Sequence, residues 1–174
     1  MQTPNSIDPA SATGTTRQFF DGLQKNLGTV PNLMRVLANS PAAPNGYMSF
    51  SGVLGEGKLS PRTREQRAIA MANANSCDYC LSALNDLGKL AGLATDDLAL
   101  AADTKRAAAL RFAVEAVRKR GLAPPSEVET LRTARFSDGE VVEIIAAVNI
   151  FTNYFNHIAG TEIDFPVVKA TAAR

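Results

Sequence analysis

The sequence has no tryptophan, one histidine and two cysteines, and aromatic side chains make up only 6% of its 174 residues. Each shortage excludes something. A single histidine cannot build a multi-histidine metal centre. Two cysteines in a chain this long make a poor disulfide scaffold, so they are not there as a framework. Charge of one sign is also missing: the formal net charge of +1 gives no footprint for nucleic acid or an anionic membrane. The basic run Arg118, Lys119 and Arg120 falls at the end of an expected helix, where the macrodipole favours cations, and reads as a solvated helix end.

Long hydrophobic runs are absent too. The longest apolar segment, residues 141–158, is interrupted by Glu143, Asn149, Asn153 and Asn156 and is no membrane span. The opening MQTPNSIDPASATGT has neither a basic start nor an apolar run, so no secretory signal is expected and a cytoplasmic location follows by default. In that reducing compartment two cysteines point to catalysis or metal binding more than to a permanent staple. No segment alternates with period two and none repeats at a fixed spacing, so the expected fold class is all-α.

What is present is helical. Residues 1–14, rich in Pro, Ser, Thr and Ala, read as a flexible N-terminal arm, and residues 15–174 as a single all-helical domain. Phe19, Phe20, Leu23 and Leu27 mark a first helical face that Gly28 stops. Pro31 opens a short helix, and a third apolar segment spans residues 47–54. Ser60-Pro61 is a capping residue followed by proline at the first helical position, opening a helix to about Ala74. After a break at Asn75-Ser76 a helix runs from Cys77 to about Leu90. Thr95 caps a short helix, and Ala107, Leu110, Ala113, Val114 and Val117 mark another. Two capping boxes follow, Ser126 with Glu129 and Ser137 with Glu140. The second opens a helix to about His157, apolar nearly all round and so expected at the centre of the core; Glu140 and Glu143 are both read as capping residues.

The chemistry lies in Cys77 and Cys80, two residues apart at the expected start of a helix. Sulfurs in a first helical turn lie near unpaired N–H groups and the positive dipole end, which lower a thiol pKa from about 8.5 into the range of roughly 3.5–7.5. A two-unit drop raises the thiolate fraction at pH 7 from about 3% to about three-quarters. Zinc is the competing use, but a structural site needs four ligands, and His157 as a third leaves it incomplete. The bland alternative is two small buried hydrophobes.

Glu65, Cys77 and Cys80, with the flanking Leu59-Ser60-Pro61, Arg67-Ala68-Ile69-Ala70 and Asn75-Ser76-Cys77-Asp78-Tyr79-Cys80, resemble the core of the alkylhydroperoxidase D-like proteins of the carboxymuconolactone decarboxylase superfamily. Phe136-Ser137-Asp138, Asn153-Tyr154-Phe155-Asn156-His157 and Asp164-Phe165-Pro166 resemble its peroxidase-related branch, so the likeness spans roughly residues 30–168. The resemblance implies a helical, homo-oligomeric antioxidant enzyme, without cofactor or metal, that reduces hydroperoxides at the expense of a dithiol or a protein thiol. It implies Cys80 as the attacking thiolate, Cys77 as the resolving cysteine and Glu65 as part of the proton relay.

A fixed carboxylate raises a neighbouring thiol pKa, so Glu65 needs a proton carrier between it and the sulfur. The family places a histidine four residues after the second cysteine, and this chain has Leu84 there. General-base assistance is typically worth 10² to 10⁴ in rate, so the alternative expectation is a catalytically impaired redox-sensing or interaction protein of the same fold. His157 and Tyr79 are read first as packing residues. Glu65, near a helix start, is also compatible with a solvated first turn. Carboxymuconolactone decarboxylation itself is disfavoured, because no obvious set of basic residues awaits a dicarboxylate lactone. Phe151, Tyr154, Phe155 and Ile158 are expected to be partly hidden between subunits.

Overall fold

A computed structural model describes residues 4–90, 104–119, 122, 125–150 and 162–169. Among the described residues there are eight α-helices and no strand. They are α1 (Gly14–Leu27), α2 (Asn32–Leu37), α3 (Ala42–Gly55), α4 (Pro61–Ala74), α5 (Asp78–Leu90), α6 (Thr104–Arg118), α7 (Pro125–Thr133) and α8 (Asp138–Ile150). The expected short helix at Thr95, the end of the last helix and His157 lie outside the described residues, as do Phe151, Tyr154, Phe155 and Ile158.

The helix ends follow the chemistry of their residues. Gly28 takes the left-handed conformation (φ 73°) and its N–H caps Gln24 at 3.0 Å, closing α1. Ser60 accepts from the Thr63 N–H at 3.1 Å with Pro61 in the first helical position, as predicted. Ser137 and Glu140 form the reciprocal capping box of α8, Ser137 N–H donating to Glu140 Oε2 at 2.8 Å and Glu140 N–H to Ser137 Oγ at 3.3 Å. Two expectations fail here. Ser126 lies inside α7, and Glu129 turns to Arg132 instead of back to the helix start. Glu143 caps nothing on its own helix: its carboxylate accepts from the N–H groups of Lys58 (2.9 Å) and Leu59 (3.1 Å), tying α8 to the entry of α4.

That second bond set dictates a glycine. A Cβ on Gly57 would stand 2.6 Å from Glu143 Oε2 and 2.7 Å from its Cδ, inside contact distance. Only a residue without a side chain lets the carboxylate reach the next two N–H groups.

Two apolar clusters make the core, and α4 contributes to both. Ile69 and Ala72 face a cluster with Phe20, Leu23, Leu33, Cys77, Tyr79, Cys80, Leu81 and Phe165. Met71 faces another with Ala109, Phe112, Ala113, Leu131, Val141 and Ile144. Every residue from Gln66 to Ala72 is buried, and α4 packs most closely on α5 and α6. The helix expected at the centre, α8, instead exposes Val142 and Ile145. The reason is local: alanines at 68, 70 and 72 let neighbouring backbones approach α4 on several sides, while the bulkier α8 has one buried stripe. Gln66 and Arg67 made α4 look more polar than its position.

Residues 4–13, expected to be a flexible arm, lie against α2. Ile7 N–H donates to Arg35 O at 3.2 Å, Arg35 Nε donates back to Ile7 O at 2.9 Å, and Asn39 Nδ2 donates to Asn5 O at 2.7 Å. The C-terminal strap, residues 162–169, is held across α2 and α5 in the same way.

Candidate redox site

The turn between α4 and α5 builds the site. Ser76 takes a left-handed conformation (φ 52°), and the Cys77 N–H reaches back to Ala72 O at 3.0 Å, closing α4 with the six-to-one bond of a Schellman motif. Cys77 O then accepts from Leu81 N–H at 3.1 Å, so Cys77 is the N-cap of α5. One turn on, Cys80 lies on the same face, and the two form a disulfide with a Cα–Cα distance of 5.3 Å. Both cysteines are 3% exposed.

The two sulfurs are not equivalent. Cys80 N–H donates to Cys77 Sγ at 3.2 Å. Among the described residues, no hydrogen bond reaches Cys80 Sγ.

Tyr79, between the cysteines, is buried and packs edge-on against Phe165 of the strap, ring centres 5.9 Å apart. Its hydroxyl accepts from Leu33 N–H at 3.0 Å. Burial pushes this phenol well above its ordinary pKa, the Leu33 N–H opposes that, and the Asp164 carboxylate adds to it. Asp164 in turn accepts from Asn32 N–H at 2.6 Å, capping α2 from the strap. Ser82 Oγ donates to Asp78 O at 2.8 Å and accepts from Val168 N–H at 2.8 Å, and Lys169 Nζ pairs with Asp78 at 2.8 Å. Asp78, Tyr79 and Ser82 thus fasten the strap to the first turns of α5.

Glu65 is half-buried on α4 and makes no hydrogen bond to either cysteine among the described residues. Burial raises its carboxyl pKa, opposed by the nearby Arg67 and Arg64. Tyr47 of α3 lies in its field: burial raises the phenol, a hydrogen bond with Ser51 lowers it, and Glu65 raises it again. Tyr47 also adds, as the smallest of several causes, to the upward shift of the Tyr79 phenol. Arg67 is 5% exposed, its Nε lacks a hydrogen-bond partner among the described residues, and burial with Arg64 lowers its pKa to about 10. Leu84, on α5, packs against the cluster that holds both cysteines. Among the described residues no group of three His, Cys, Asp or Glu is placed to hold a metal ion.

Of the expected site residues Cys77, Cys80 and Glu65, the structure joins the two cysteines; Tyr47 is expected from the sequence only as part of an apolar segment, and Asp164 only as part of a motif. Neither had a local signal, because each acts through space, on Glu65 from α3 and on Tyr79 from the strap.

A cysteine pair joined at the N-terminus of α5, inside an all-helical core, is the feature that defines the site. Residues 41–119, which contain Glu65 and both cysteines, match the carboxymuconolactone decarboxylase family. The chain's fold is that of an uncharacterised peroxidase-related protein from Silicibacter sp. TM1040, at TM-score 0.74 and 24% identity over 97% of this chain and 95% of that one. An uncharacterised peroxidase-related protein from Ralstonia eutropha JMP134, described as an alkylhydroperoxidase AhpD core, has TM-score 0.73 and 22% identity over 94% and 92%. A variant of the debrominase Bmp8, solved with 2,3,4-tribromopyrrole, has TM-score 0.72 and 17% identity over 94% and 92%. No curated protein matches the chain.

Proposed function

We propose that the protein is a thiol-dependent hydroperoxide reductase that cycles Cys77 and Cys80 between dithiol and disulfide. The observation that carries this reading is the Cys77–Cys80 bond at the start of α5. In the oxidative half, the Cys80 thiolate forms an S–O bond to the terminal peroxide oxygen as the O–O bond breaks, and the alkoxide leaves as alcohol after taking a proton. The Cys77 thiolate then attacks the sulfenic sulfur of Cys80, expelling hydroxide, which leaves as water. Two electrons from an external dithiol or a protein thiol restore the pair.

Glu65 serves this cycle as a proton acceptor. Its burial-raised pKa brings the carboxyl closer to neutrality than an ordinary glutamate, which suits a base. Leu84 carries no proton, so the link from Glu65 to sulfur runs through another carrier. Tyr47 is a hydroxyl within electrostatic reach of Glu65 and Tyr79.

The fold alone does not select the reaction, since a debrominase shares it. One observation favours a second reading: Leu84 is built into the apolar cluster beside the cysteines, where the family resemblance implies a histidine. A protein that oxidises once and signals, without turnover, fits that packing.

Dithiol-dependent consumption of cumene hydroperoxide separates the two. Turnover that Cys80→Ser abolishes establishes the reductase. Turnover appearing only in Leu84→His favours the sensing protein, and none in any form removes the peroxidase reading.

Homo-oligomerisation belongs to the same proposal. Met48, Phe50 and Val53 of α3 and Val142 and Ile145 of α8 are exposed apolar side chains on two helices that pack together. A second copy is the proposed partner, and sedimentation as a clean monomer at micromolar concentration overturns it. No described helix is long and apolar enough to cross a membrane. The cytoplasm, where thiol reductants are available, is the proposed location.

A further inference from the structure

We propose that the disulfide is opened from one side only: the reducing thiolate bonds to Cys80 Sγ, and Cys77 Sγ leaves as the thiolate. This rests on the reading that the pair cycles between dithiol and disulfide, and names the sulfur at which the reductant acts.

The two sulfurs differ in hydrogen bonding. Cys77 is the N-cap of α5, and Cys80 N–H, in the third helical position, points at Cys77 Sγ from 3.2 Å. That is the place where capping side chains normally present an oxygen. A thiolate there gains a charge-oriented N–H and the positive end of a thirteen-residue helix. Cys80 Sγ, one turn in, accepts no hydrogen bond among the described residues, while both cysteines share the apolar cluster with Ile69, Ala72, Leu81 and Phe165.

The ionisable groups on the elements packed around the pair are Arg35 of α2, Tyr47 of α3, Arg62, Arg64, Glu65 and Arg67 of α4, Asp78, Tyr79, Asp86 and Lys89 of α5, and Glu162, Asp164 and Lys169 of the strap. Their carboxylates disfavour thiolates and their cations favour them, on both sulfurs alike, and Lys169 offsets Asp78 through its 2.8 Å pair. The N–H contact is what distinguishes one sulfur from the other.

In thiol–disulfide exchange the better leaving group is the thiol of lower pKa. The first step forms the reductant–Cys80 S–S bond, breaks the Cys77–Cys80 bond and places the electron pair on Cys77. In the second, the other thiol of a dithiol reductant attacks its own sulfur in the mixed disulfide. Cys80 is released, the reductant departs as a cyclic disulfide, and two protons and two electrons pass to the pair. Neither step needs a base at position 84. Leu84 therefore weighs on the peroxide half of the cycle and leaves the reductive half intact.

The test needs no peroxide, so its outcome is separate from that of the turnover assay. The oxidised protein is exposed briefly to glutathione, freed thiols are blocked with iodoacetamide, and the modified cysteines are mapped by fragmentation mass spectrometry. The expected result is glutathione on Cys80 and the alkyl group on Cys77. Glutathione on Cys77, or on both in equal amounts, overturns the proposal. Ionisation of the lone thiols, followed by absorbance at 240 nm, gives the second readout. Cys77 in Cys80→Ser should have about a tenfold or greater thiolate-to-thiol ratio at neutral pH than Cys80 in Cys77→Ser, and an equal or reversed ratio contradicts the asymmetry. If either serine variant fails to fold, mapping on the native chain still decides.

Discussion

The Leu33 N–H and the Tyr79 hydroxyl meet at 3.0 Å in the interior, 46 positions apart in the chain. This bond joins the start of α2 to the residue between the two cysteines, and Asp164 of the strap acts on the same phenol. The redox turn is thus held from outside by groups with no redox chemistry of their own.

Removing that hydroxyl leaves a buried donor without its partner. Tyr79→Phe is expected to cost about 1–3 kcal/mol, because the Leu33 N–H loses its acceptor while the ring still fills its place against Phe165. Urea unfolding of the oxidised protein measures it, and an unchanged midpoint would show that the bond contributes nothing net.

The strap has its own fastening. Ser82 is fully buried and its Oγ is the acceptor for Val168 N–H. Ser82→Ala should speed amide exchange at Val168 by about tenfold or more while global stability falls by about 1–3 kcal/mol. Equal exchange in both proteins would mean the strap is held by Phe165 and the Lys169–Asp78 pair instead.

Gly57 and Glu143 should behave as a coupled pair. Gly57→Ala is expected to destabilise by about 1–3 kcal/mol, since the new methyl displaces the carboxylate from Lys58 and Leu59 N–H. In a Glu143→Ala background the same change should cost much less, giving an interaction energy of roughly 0.5–3 kcal/mol in a double-mutant cycle. Strict additivity would separate the two residues.

Glu65 makes stability depend on pH in a defined direction. Its folded pKa is raised by burial above the unfolded value of about 4.3, so the protonated carboxyl is the form the fold prefers. That contribution is fully present below the unfolded pKa and is lost as pH rises through the folded one. Glu65→Gln, which stays neutral, should therefore match the parent in acid and exceed it at pH 7. A variant less stable than the parent at pH 7 would mean that the ionised carboxylate is held by Arg64 and Arg67 more strongly than burial opposes it.

Much of this was legible in the sequence. The all-helical class, the stop at Gly28, the Ser60-Pro61 start and the Ser137–Glu140 box follow from capping chemistry that acts over three or four residues. Cys77 and Cys80 were legible as a pair for the same reason. What was hidden acts across the fold. Alanines give no sign of how many neighbours surround α4, so the central helix was misplaced on the more hydrophobic α8. Glu143 looks like any first-turn carboxylate until Lys58 and Leu59 are brought to it. The leader of small and polar residues reads as an arm because its bonds to Arg35 and Asn39 depend on where α2 lies.

The central claim, that the pair reduces a hydroperoxide stoichiometrically, is tested most directly by a single turnover. Fully reduced protein is mixed with one equivalent of cumene hydroperoxide, and free thiols, alcohol and the Cys77–Cys80 disulfide are counted at intervals. The account predicts that two thiols disappear for each alcohol formed, and that one disulfide appears per chain. Thiols that persist while the peroxide remains, or alcohol that forms equally well with Cys80→Ser, would contradict it.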